Sequence, residues 1–92
     1  MKGATIRITD ETGKQLTGIV IDVDEPPDTT IGTRTDLVAM ATVRHRPQWP
    51  SMANQRTIYM DIGYHWYDSQ ARPITVETIQ PAPNPGPQLV KR

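Results

Sequence analysis

The sequence predicts an all-β domain: a small barrel of five short antiparallel strands, followed by a proline-rich extended tail. Three observations carry this expectation. Thr, Ile and Val are frequent, Leu is scarce and Phe is absent, and β-branched side chains lose rotamer freedom on a helix but pack well on a pleated sheet. Apolar residues recur with period two in short runs separated by segments containing glycine or proline. A chain of 92 residues supports a single core.

The first strand is Thr5-Ile6-Arg7-Ile8-Thr9, with Ile6 and Ile8 facing inward. Asp10-Glu11-Thr12-Gly13 closes a short hairpin, with Gly13 in the left-handed conformation that a bulged turn requires. The second strand runs from Lys14 to about Asp24, with Ile19, Ile21 and Val23 on its inner face. Leu16 has the opposite parity, so a bulge at Gly18 is expected to bring it to the same side. Residues 25–35 have two adjacent prolines and no period, and form a loop. Strand three, Leu37 to about His45, alternates Leu37, Ala39, Ala41 and Val43 against Val38, Met40, Thr42 and Arg44. A short helix is the rival reading of its Ala39-Met40-Ala41 stretch. Pro47, Trp49 and Pro50 lie in a second long loop. Strand four begins at Thr57 and places Ile58, Met60, Ile62 and Tyr64 on the inner face, with Thr57, Tyr59 and Asp61 on the other. Asp68 to Pro73 suits a tight turn, and Ile74 to Ile79 forms strand five.

An early hairpin, long loops after strands two and three, and a one-turn link before the last strand resemble the SH3-like small-barrel architecture over residues 4–80. An open five-stranded meander and an OB-type barrel are the alternatives. The first long loop lacks the acidic and aromatic signature of peptide-binding SH3 domains. In general style the chain is also similar to small proteins of phages and actinobacteria. The expected location is cytoplasmic, or the virion if the chain is a phage protein.

Residues 1–80 are expected to form the barrel and residues 81–92 the tail. Proline stands at every second position from 81 to 87. Without their amide hydrogens these residues cannot sit in a central strand, so polyproline II or disorder is expected.

Ten Lys and Arg balance ten Asp and Glu, so no overall field steers the chain toward nucleic acid or an anionic membrane. The balance is regional: residues 1–30 carry three basic and six acidic side chains, and residues 31–58 carry four basic and one acidic. The absence of cysteine excludes disulfides, thiolate metal sites and a cysteine nucleophile. No apolar run approaches the ~20 residues of a membrane helix. Met1-Lys2-Gly3 is not followed by the apolar stretch of a signal peptide, so an intracellular location is expected.

The serines, Ser51 and Ser69, are not in a Gly-x-Ser-x-Gly setting, and there is no phosphate-binding glycine loop. With so small a core, the expectation is a protein that is not an enzyme, with no catalytic residues, no cofactor and no small-molecule substrate. The acidic run Asp22, Asp24, Glu25 and Asp28 does not match EF-hand spacing and reads as a charged strand edge. His45 and His65, near the ends of neighbouring strands with Asp61 or Asp68 nearby, lack zinc-ligand spacing, so no metal is expected.

Two surfaces are candidates for recognition. Arg34, Arg44, Arg46 and Arg56, with Trp49, give the middle of the chain the basic and aromatic character of a nucleic-acid surface, unless these arginines pair with acidic strand two. Tyr59, Tyr64, Trp66 and Tyr67 fall within nine residues, just after Trp49. Tyr64 has the inward parity of a core residue. Trp49, Tyr59, Trp66 and Tyr67, with Leu89 and Val90 of the tail, are the expected contacts to a partner. The leading expectation is a protein-binding module or small structural subunit that binds another protein or itself. A nucleic-acid-binding barrel is the alternative.

Overall fold

The computed structural model describes residues 1–27, 30–46 and 54–83. Its strands are β1 (Thr5–Thr9), β2 (Gln15–Asp24), β3 (Leu37–His45), β4 (Gln55–Asp61), β5 (Trp66–Tyr67) and β6 (Pro73–Gln80). Each pairs antiparallel with the next, and β6 pairs with β1, so the sheet closes into a barrel. The all-β class and the antiparallel order follow the expectation, and Leu37–His45 is a strand rather than a helix. The number of strands differs by one. Trp66–Tyr67 pairs with Tyr59 and Met60 on one side and with Pro73 and Ile74 on the other, and two residues are too few to show a period.

Ile6, Ile8, Val20, Ala41, Val43 and Ile58 fill the barrel interior, with Trp66, Ile74 and Val76 packed against them. On β2 the inner face is the reverse of the expected one as far as Val20, which is buried while Ile19 is half exposed. Gly18 is buried, and a side chain there would not fit. A Cβ would stand 2.6 Å from the Arg44 carbonyl oxygen and 2.7 Å from Val43 Cγ1. The register shift falls instead between Val20 and Asp22, and this brings Val23 back onto the core.

A second cluster lies under the β2–β3 loop, where Ile31 covers Tyr59 and Tyr67, and Leu37, Met40 and Ala71 pack around them. Tyr59 and Tyr67 are register partners, so the outward parity of Tyr59 leads to burial beneath a loop rather than to solvent. Tyr64, expected in the core, is 76% exposed because β4 ends at Asp61 and the chain turns before reaching it.

The packed chain continues beyond residue 80. Ala82 lies against the barrel core, and Pro83 Cδ would be 3.3 Å from a Cβ on Gly3. The rest of the expected tail, with Leu89 and Val90, lies outside the described residues, as does Trp49. Among the described residues no helix is long and apolar enough to cross a membrane.

Candidate functional site

Three hairpin turns in this barrel share one construction. In each an Asp stands first, its N–H donates to the carbonyl four residues on, and its own carbonyl accepts from the N–H three residues on. The pairs are Asp10 with Lys14 and Gly13, Asp61 with His65 and Tyr64, and Asp68 with Arg72 and Ala71, all at 3.0 Å. The Asp Oδ1 also accepts from the N–H groups two and four residues on: Thr12 and Lys14, Gly63 and His65, Gln70 and Arg72. The fourth residue has positive φ each time: 87° at Gly13, 66° at Tyr64 and 62° at Ala71. This is the three-residue hairpin loop with a bulge at its left-handed position. Glycine fills that position only once.

The Asp61 turn is the most heavily braced. Tyr67 Oη donates to Asp61 Oδ2 at 2.9 Å, and Arg34 Nη1 lies 3.4 Å from the same oxygen. Arg34 also pairs with Asp36 at 3.3 Å, and its guanidinium carbon lies 4.1 Å from the Tyr67 ring centroid, a cation–π distance. The His65 N–H foremost, then the Tyr67 hydroxyl and the Gly63 N–H, hold the Asp61 carboxyl at about 2, against burial that pushes it up. Burial, then the hydrogen bond to Asp61, raises the Tyr67 phenol above its ordinary value. At the Asp10 turn the Thr12 hydroxyl is the largest influence lowering the carboxyl.

What this bracing holds in place is an apolar tip. Ile62 is 71% and Tyr64 76% exposed, and His65 beside them is also exposed. A non-glycine residue with positive φ at an exposed position is strained, and such strain concentrates at functional sites.

The opposite end of the barrel is hollowed among the described residues. The turns at Asp10 and Asp68 and the start of β4 surround a cleft of about 660 Å³, floored by Ile8, Leu16, Ile58 and Ile74 and rimmed by Lys14, Gln55 and Arg56. Register fixes this geometry: Thr9 pairs with Gln15, Arg44 with Gln55, and Tyr67 with Pro73, all at the mouth. Leu37 pairs with Asp61 at the tip end.

The residues expected at a site are therefore separated. Arg44, Arg46 and Arg56 are exposed, Arg56 at the rim of the cleft and Arg44 and Arg46 in a separate hollow with Thr5 and Ile19, with no ion-pair partner among the described residues. Arg34 is at the tip end, engaged with Asp36 and Asp61 rather than with β2. Tyr59 and Tyr67 are buried and Trp66 is half-buried. His45 is buried at the end of β3, with Nδ1 3.0 Å from the Arg46 carbonyl oxygen. His65 follows the far end of antiparallel β4, so the two histidines lie at opposite ends and do not approach. Among the described residues no group of three metal-ligating side chains converges.

Ile62 and Tyr64 were hidden by the assumption that strand four ran through them. The available signal was the repeat of Asp-x-x-x-basic in Asp10–Lys14, Asp61–His65 and Asp68–Arg72, which marks Asp61 as the end of a strand. No family model matches the chain, and no curated protein or solved structure is significantly similar to it.

Proposed function

We propose that this chain is a non-enzymatic protein-binding module, a small structural subunit on an SH3-like barrel, and that it engages its partner through the β4–β5 tip. The observation that carries the reading is the pairing of two exposed apolar side chains, Ile62 and Tyr64, with a backbone locked beneath them by Asp61. Tyr combines apolar area with a polar end and loses little entropy on binding, which favours it as an interface anchor. A pre-organised turn lowers the ordering cost further. The polar groups best placed for acid–base work, the Asp61 carboxylate and Tyr67 hydroxyl, are engaged with the turn and with each other.

A photo-crosslinking residue at position 64, with a control at Glu77 on the barrel wall, tests this in the native host. The reading expects protein adducts from position 64 and none from position 77. Equal labelling at both, or none at 64, overturns it.

A second reading, a nucleic-acid-binding barrel, is favoured by the exposed Arg44, Arg46 and Arg56, which have no ion-pair partner among the described residues. It requires affinity for single-stranded oligonucleotide that falls steeply with salt.

A further inference from the structure

We infer that the chain self-associates head to tail, with the Ile62–Tyr64 tip of one copy seated in the barrel mouth of the next. This rests on the protein-binding reading above and gives it a partner, a second copy of this chain.

The geometry starts with β4, which leads from Gln55 at the mouth to Asp61 at the tip. Seven residues of strand separate the two features by roughly 20 Å, so they cannot meet within one molecule. A contact between different patches on two copies is heterologous, and it propagates into a ring or an open chain.

Shape and charge both favour the match. The tip is convex, apolar and rigid. The mouth is a cleft of about 660 Å³ with an aliphatic floor and polar walls, within the range of roughly 300–1,000 Å³ that encloses a bound group. Asp22, Asp24 and Glu25, at the end of β2, are exposed on the tip end. Arg56 is exposed at the rim of the mouth, and Arg44 and Arg46 are exposed on the wall beside it. None of the six has an ion-pair partner among the described residues. Asp10 and Asp68 also line the mouth, but among the described exposed side chains bases outnumber acids there, Lys14, Arg56 and Arg72 against Glu11, and acids outnumber bases at the tip end, Asp22, Asp24 and Glu25 against Lys2. Stacking copies end to end brings opposite charges together, and opposite patches steer and align association. With a formal net charge of zero, copies do not repel as whole bodies.

One turn in one cleft is a small interface, at the weak end of the protein–protein range. Sedimentation equilibrium should therefore extend to about 1 mM, the concentration scale of such contacts. The tip variant carries Ile62→Ser and Tyr64→Asn, since Asn tolerates positive φ. The mouth variant carries Lys14→Glu and Arg56→Glu. All four positions are exposed, and a thermal melt of each variant is the control for folding.

The wild type should gain mass with concentration, and each variant alone should remain monomeric. Their equimolar mixture should form a one-to-one pair and stop, because only one intact tip and one intact mouth are present. A mixture that fails to pair, beside a wild type that associates, means a symmetric contact and overturns the head-to-tail arrangement. A monomeric wild type also overturns it, including one whose mouth binds a short single-stranded oligonucleotide. In that case adducts from position 64 to a different protein would leave the protein-binding reading standing, and their absence would remove both.

Discussion

The Tyr67 hydroxyl donates a 2.9 Å hydrogen bond to Asp61 Oδ2, while Asp61 Oδ1 accepts the Gly63 and His65 backbone N–H groups. One carboxylate thus joins an exposed turn to the buried Ile31–Tyr59–Tyr67 cluster. The tip inherits its rigidity from a ring packed beneath a loop, and Arg34 completes the brace from that loop. Disturbing the cluster should therefore loosen the tip, although no cluster residue forms part of it.

Acid should weaken this link. The folded Asp61 carboxyl titrates at about 2, below the ordinary 3.9 of an unfolded Asp. A depressed carboxyl contributes stability that is fully present above the unfolded value and is lost as pH falls through the folded one. The melting temperature should therefore drop between about pH 4 and pH 2. Asp10, also lowered, contributes in the same direction. Asp61→Asn should melt lower than wild type at pH 7 and show a flatter decline across the acid window. Parallel curves would mean that Asp61 does not carry the dependence.

The repeated turn predicts opposite effects at equivalent positions. A Cβ on Gly13 would have nothing within 4 Å, so Gly13→Val should cost only the backbone strain of a left-handed β-branched residue, about 1–2 kcal/mol. Tyr64 already bears that strain, and its exposed ring contributes little packing. Tyr64→Gly should therefore raise stability by about 0.5–1 kcal/mol, after allowing for the greater freedom of glycine in the unfolded chain. Urea unfolding of both variants checks the two signs.

Much of the fold was legible in the chain, and the misreadings have local causes. Ile6 and Ile8 alternate beside a Gly-containing turn, so β1 and its hairpin could be read directly. Parity counts apolar residues and so puts Ile19, Ile21 and Val23 on the inner face of β2, whereas Gly18 and Val20 are the buried ones and a Cβ on Gly18 would run into the Arg44 carbonyl. Tyr64 was assigned to the core because a turn built on Asp61 does not require glycine at its left-handed position. The candidate site was less legible than the fold. The tip and the mouth are separated by a whole strand, and only the closed register shows that they lie at opposite ends.

Gly18 offers a direct check on that register. The atom a Cβ would meet at 2.6 Å is a backbone carbonyl oxygen, that of Arg44, which cannot swing aside as a flexible side chain would. Gly18→Ala should destabilise by about 1–3 kcal/mol, the usual cost of overpacking. In a domain of this size each kcal/mol lowers the melting temperature by roughly 4–8 °C. An unchanged melt would mean that β2 and β3 are not held at this spacing.

The last prediction concerns where the barrel ends. Composition alone puts the boundary at residue 80, because Pro81 and Pro83 cannot join a ladder. Ala82 nevertheless packs against the core cluster that includes Ala4, Ile6 and Val20, and Pro83 passes close to Gly3. Proline favours this role, since its fixed φ lowers the entropy lost when an extended segment is laid across a surface. A chain ending at residue 83 should therefore be more stable than one ending at residue 80, by about 1 kcal/mol for the buried methyl and the apolar surface it covers. Gly3→Ala in the full chain should lose stability too, because positive φ and the contact with Pro83 both oppose a Cβ there. Equal melting temperatures for the two truncated chains would place the end of the packed domain at Gln80 and leave Ala82 without a structural role.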